Sequence, residues 1–129
     1  MNKMKYVKIV FFTLFGCFSC THEKQEPICT PPTTVSFQQN ILPIFNQHCN
    51  TSGCHSGSVP SANLNLEPSV AYAQLTRKGK GYTDTINPQY SVLYASMNAT
   101  TNPMPKSGKL DNCTVELVYK WIEQKAKNN

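Results

Sequence analysis

His48-Cys49-Asn50-Thr51-Ser52-Gly53-Cys54-His55 places two cysteines and two histidines within eight positions. Its last pair is the most specific part. Where a porphyrin is attached through thioethers, the motif ends in a cysteine followed directly by the histidine that ligates iron. Cys54 would then hold a vinyl-derived carbon of the haem, and His55 its iron. A second tether is needed a short way upstream, and Cys49 offers one with four intervening residues where two are usual. Asn50, Thr51, Ser52 and Gly53 are small or turn-forming, and glycine tolerates positive φ. The longer loop can therefore bulge while both sulfurs face one ring.

Other readings of the same residues are blander. Cys49 and Cys54 could close a local disulfide in an exported chain. His48, Cys49, Cys54 and His55 could offer nitrogen and sulfur to zinc, although directly adjacent ligands seldom converge on one tetrahedral ion without strain. A plain solvated loop accounts for the glycine and serine but leaves both cysteines and both histidines without a role. His48 itself reads as a surface residue, or one contacting a propionate, rather than as the iron ligand.

About fifty residues on stands Pro103-Met104-Pro105. The prolines fix φ near −65° and bias the residue before each away from helix, so the expectation is a stiff extended segment presenting the Met104 thioether. Together with His55 this gives His/Met ligation. Met97, at helical spacing among apolar residues, reads as core instead.

A chain of 129 residues with 40% apolar content can bury one modest core, so one domain is expected, loop-rich on account of nine prolines and six glycines. A haem at its centre would supply apolar surface that the side chains lack. The formal charge is +5. Setting aside Lys3, Lys5 and Lys8 leaves nine basic against seven acidic residues, a net of +2 with no basic stripe, which excludes a nucleic-acid surface.

Those three lysines precede the apolar run from Ile9 to Cys20, which reads as an export signal. The run is too short for a bilayer span, which takes about 20 residues. Ending in a small residue and a cysteine, it resembles a bacterial lipoprotein signal. Leu14-Phe15-Gly16-Cys17 and Phe18-Ser19-Cys20 both offer an acylated cysteine. Lipidation of Cys20 leaves Cys29, Cys49, Cys54 and Cys113 as two pairs, whereas lipidation of Cys17 leaves an odd thiol, so Cys20 is preferred. The expected organisation is a signal over 1–19, a tether over 20–34 and a domain over 35–129, on an exported chain anchored by lipid at the periplasmic or outer-membrane face of the envelope. His22, in the polar, proline-containing tether, is read as solvated. Once the haem pair is assigned, Cys29 has only Cys113 as a partner. That disulfide would close a loop worth roughly 4 kcal/mol in the chain-entropy model.

Within the domain, Ser36 and Gln39 make a capping box for a first helix whose apolar stripe is Phe37, Ile41, Ile44 and Phe45, kinked or shortened at Pro43 and ending near Cys49. Residues 56–68 read as a loop in which Leu64 and Leu66 line the haem edge. Short helices are expected over 69–75, closed by the glycines and charges of 77–81, and over 91–97. A last helix begins at Asp111 and runs to about Lys127, burying Val115, Val118 and Ile122, with Trp121 packed on the first helix and Lys120, Lys125 and Lys127 complementing its dipole.

The order Phe37, Ile41, Pro43-Ile44-Phe45, Cys49, Ser52-Gly53-Cys54-His55, then Ser91-Val92-Leu93-Tyr94, Met104-Pro105, Gly108, Leu110 and Trp121-Ile122 resembles the small class I type cytochrome c domains of Bacteroidetes-type lipoproteins, over roughly residues 35–127. The resemblance implies an all-α domain of three to five short helices around one covalently bound haem. It also implies Cys49 and Cys54 as attachment sites, His55 as proximal ligand, Met104 as distal ligand, and a Cys29–Cys113 clasp. The expected function is electron transfer to redox partners of a respiratory chain, with no catalytic residue. Met ligation would raise the potential relative to bis-His. Competing classes are a haem sensor or peroxidase-like protein with an open sixth position, and a haem-free lipoprotein held by two disulfides.

Overall fold

The computed structural model describes residues 28–129. The export signal, both lipidation candidates, His22 and the first part of the tether lie outside the described residues. Within them the fold is helical and without strands: four α-helices, Leu42–His48 (α1), Ala71–Leu75 (α2), Val92–Asn98 (α3) and Asn112–Glu123 (α4), joined by long loops. No helix among the described residues is long and apolar enough to cross a membrane.

Ser36 caps the first helix as expected, its hydroxyl accepting from the Gln39 N–H at 3.2 Å. The reciprocal bond comes from Asn40 rather than Gln39, since Asn40 Oδ1 accepts from the Ser36 N–H at 2.8 Å. The expected kink at Pro43 takes the form of a widened π-helical turn over Phe37–Ile41, in which the Ile41 N–H reaches back to the Ser36 carbonyl at 3.3 Å. α1 then restarts with Pro43 in its first turn, where a missing N–H leaves nothing unsatisfied. Phe37, Ile41 and Phe45 carry the buried face, and Ile44 is only partly covered.

α4 starts where the sequence places it, with Asp111 accepting from the Thr114 N–H at 2.9 Å. It stops at Glu123, short of the expected Lys127, because Lys125 (φ 74°) and Ala126 (φ 45°) turn left-handed and fold the tail back. Lys120 therefore stands in the last turn, whereas Lys125 and Lys127 lie beyond the helix. The Trp121 indole N–H donates to the Lys127 carbonyl at 2.9 Å, so a fully buried ring keeps its polar atom satisfied. Beyond it, Asn129 closes the structure on the first helix: its carbonyl accepts from the Gln38 N–H at 3.0 Å, and its side-chain oxygen from the Phe37 N–H at 3.1 Å. These are two of the donors that a helix start leaves unpaired.

Phe37 is the hub of the core, with its ring centroid 5.3 Å from that of Trp121 and 5.2 Å from that of Tyr72. Tyr94 of α3 meets Tyr119 of α4 at 4.9 Å. Cys29 and Cys113 are joined as a disulfide, Cα atoms 5.0 Å apart across a sequence separation of 84 residues. Gln124 continues the seam, accepting from the Val35 N–H at 2.9 Å and donating to the Thr33 carbonyl at 2.8 Å. The end of the expected tether is thus docked against α4 and not free.

Candidate functional site

α1 delivers His48 and Cys49 to the rim of a cleft, and the loop that follows curls back on the helix end. The N–H groups of Cys49 and Asn50 both donate to the Phe45 carbonyl, at 2.9 and 2.7 Å. The Cys54 N–H donates to the Thr51 carbonyl at 2.9 Å and the His55 N–H to the Cys49 carbonyl at 3.2 Å. Gly53 makes the turn with φ +78°, a conformation that residues with a Cβ rarely adopt. The loop between the cysteines is therefore a hydrogen-bonded bulge that brings both of them to one cleft.

That cleft, of about 310 Å³, is lined by His48, Cys49, Cys54 and His55, by Leu64, Leu66 and Tyr82, and by Leu93, Met97 and Met104. Its walls are predominantly apolar, as ligand sites are. The structure thus brings together every sequence-derived site residue near the motif, and adds Met104 from about fifty residues away. Cys49 and Cys54 are free thiols, so the local disulfide is not formed. Cys54 is exposed. Cys49 is buried, and burial first, then the neighbouring Cys54, pushes its thiol up to about 11. Among the described residues, no group of three or more His, Cys, Asp or Glu side chains comes together to hold a metal ion.

His55 is fixed by its own ring. Nδ1 lies 3.1 Å from the Leu64 carbonyl. A carbonyl can only accept, so in the neutral imidazole the proton sits on Nδ1 and the lone pair on Nε2. The Leu66 N–H donates to the His55 carbonyl at 2.8 Å, pinning the same residue from its backbone. A ligating histidine needs this arrangement, one nitrogen held and the other open. Sequence reasoning placed Leu64 at the cleft edge but not as this partner, because a backbone carbonyl carries no sequence signal.

Residues 56–68 are not wholly irregular: Ser61–Asn63 form a short 3-10 turn, with Ala62 and Asn63 at positive φ. Met104 is half-buried, and its N–H donates to the Ser96 carbonyl of α3 at 2.9 Å. The segment bends at Met104 rather than running extended, and the Met104–Pro105 peptide is cis. Met97 is 2% exposed, which agrees with a packing role, yet it also lines the cleft. Tyr82 and Lys106 also line the cleft without having been singled out in the sequence. No family model, curated protein or solved structure matches this chain.

Proposed function

We propose that the cleft holds one covalently bound haem c and that the protein is a single-electron carrier in which His55 and Met104 would hold the iron, tethered to the cell envelope through an acylated Cys20. The reading is carried by one observation: His55, its Nδ1 committed to the Leu64 carbonyl, shares an apolar cleft with Cys49, Cys54 and Met104. The donor set fits the group, since it offers two thiols, one oriented imidazole and a thioether to a flat apolar ring and its iron.

When bound, the haem supplies a reversible one-electron couple. Cys49 and Cys54 would each add S–H across a vinyl double bond, forming a C–S bond with no net oxidation. His55 would ligate through Nε2 while Leu64 holds the ring orientation. Met104, anchored through its N–H to Ser96, would present sulfur, whose weaker donation favours the reduced state compared with a second imidazole. Leu64, Leu66 and Leu93, which line the cleft, would shield the ring from water. No acid–base residue is needed, and docking on redox partners of a respiratory chain would be small and brief, as such interfaces are.

The test is the intact mass of the mature protein made with a bacterial haem-ligation system, followed by the pyridine haemochrome spectrum. The expected result is a gain of one haem with both vinyls saturated. No added mass overturns the assignment, and one unsaturated vinyl removes either Cys49 or Cys54 as a tether.

A further inference from the structure

The loop between Asp84 and Val92 is fastened along most of its length. Asp84 Oδ1 accepts from the Ile86 and Asn87 N–H groups, both at 2.9 Å. The Asp84 N–H donates to the hydroxyl of the fully buried Ser91 at 2.7 Å, and the Tyr90 N–H to the Asn87 carbonyl at 2.9 Å. From outside the loop, Lys125 donates to the Thr85 carbonyl at 2.8 Å. This fastened loop nevertheless leaves Ile86 84% and Tyr90 73% exposed. Neither lines the cleft. No charged residue stands between Asp84 and Lys106 in the sequence. The two charges at the base of the loop, Asp84 and Lys125, are of opposite sign and both bonded to the loop backbone.

The N-terminal arm brings a lipid anchor within reach of this loop. The arm runs along α4: Cys29 is joined to Cys113 in the first turn of the helix, and Thr33 and Val35 bond Gln124 just past its last turn. The next residue is Lys125, which holds the loop. Cys29 is the ninth residue after Cys20, so at most about 30 Å of chain joins them. α4 itself is only about 18 Å long. The domain can therefore turn the loop onto a bilayer that holds Cys20.

We infer that the loop 84–90 is a membrane-docking element, whose Ile86 and Tyr90 enter the interface of the bilayer that anchors the chain. The inference rests on the acylated Cys20 of the reading above and not on the haem. Isoleucine is apolar throughout, whereas tyrosine sets its ring at the hydrocarbon boundary and its hydroxyl among the headgroups. Two such side chains offer far too little area for a stable contact with a protein. Beside a lipid anchor they suffice, because the tether raises their effective concentration at the bilayer and the second contact has only to fix orientation. A loop already fastened loses little conformational freedom on docking, and an uncharged stretch leaves no ion to desolvate.

The experiment places the mature lipidated chain in nanodiscs of zwitterionic phospholipid, part of it carrying a headgroup nitroxide, and follows the paramagnetic broadening of backbone amides. The mass of the N-terminal peptide from the same sample reads acylation. Broadening should centre on 84–90 and persist at high salt, since no ion pair carries the contact. Ile86→Asp or Tyr90→Asp, each at an exposed position, should lower the ratio of docked to undocked domain by about tenfold or more. Val59→Asp, at a site 87% exposed and two residues before the cleft residue Ser61, should leave that ratio unchanged. Broadening centred on Val59 and the cleft rim, or unmoved by the Ile86 and Tyr90 variants, overturns the docking loop. Shifts at 84–90 that grow with protein concentration in the absence of lipid assign the loop to a second copy of the chain and overturn it as well. A peptide mass without acyl chains removes the Cys20 reading alone. The unanchored chain is then titrated with nanodiscs to high lipid concentration, where broadening at 84–90 keeps the docking loop and its absence overturns it.

Discussion

Replacing Cys29 and Cys113 together by serine removes the one covalent link between the N-terminal arm and α4 and leaves no odd thiol to pair with Cys49 or Cys54. With the two half-cystines 84 residues apart, the chain-entropy model assigns the closed loop about 4.6 kcal/mol at 25 °C. Part of the arm stays docked without the disulfide, because Gln124 still bonds Thr33 and Val35, and Val35 is buried. The denatured chain is also more compact than the model assumes. The expected loss is therefore about 3–4 kcal/mol, a fall in Tm of order 20 °C for a domain of this size. Urea unfolding followed by far-ultraviolet circular dichroism, at matched haem loading, reads it directly. The dependence on denaturant should steepen as well, because the unlinked denatured chain exposes more surface. No residue of the arm lines the cleft, so the haem spectrum should not move. A loss under about 1 kcal/mol with an unchanged urea slope would refute the reasoning and mean that the link does not constrain the denatured chain.

Other outcomes follow from the cleft and the caps. Met104→Ala in the haem-loaded protein should abolish the long-wavelength sulfur-to-iron absorption band and lower the reduction potential, whereas Met97→Ala should keep the band and cost about 2–5 kcal/mol through the cavity left in the core; the reverse pattern would exchange the two roles. In haem-free protein at mildly alkaline pH, Cys54 should alkylate well before Cys49, whose thiol is buried and raised to about 11, and peptide mapping by mass reads the order. Asp111 is held below the ordinary aspartate range by its bonds to the Thr114 hydroxyl and N–H. Its capping contribution is thus present above the unfolded aspartate pKa and fades as pH falls through the lower folded value. Asp111→Ala should cost about 1 kcal/mol near neutral pH and flatten that acid limb of the stability curve, while Asp111→Asn should flatten the limb with a smaller cost.

Much of the architecture was legible because it is local. Ser36 and Asp111 cap their helices as their side-chain chemistry dictates, and the spacing of Val115, Val118 and Ile122 marks the buried side of α4. Elements failed where a long-range contact overrode a local pattern. α4 ends early because the tail is drawn back onto Trp121 and the first helix, trading a last helical turn for the bonds of Lys127 and Asn129. Lys125, expected at the helix end, donates instead to the Thr85 carbonyl at 2.8 Å. The proline pair around Met104 promised an extended segment, yet the bond from its N–H to Ser96 draws it against α3 in a bend.

For the site the division is similar. The sequence by itself determined which chemistry is present, since two thiols, the Cys54-His55 pair and a proline-flanked methionine are properties of residue types and their spacing. Only the tertiary structure decided that these groups share one apolar cleft and that the Leu64 carbonyl sets the tautomer of His55. The physical reason is that backbone carbonyls and N–H groups, identical at every residue but proline, acquire individual roles only when folding brings distant segments within hydrogen-bonding reach.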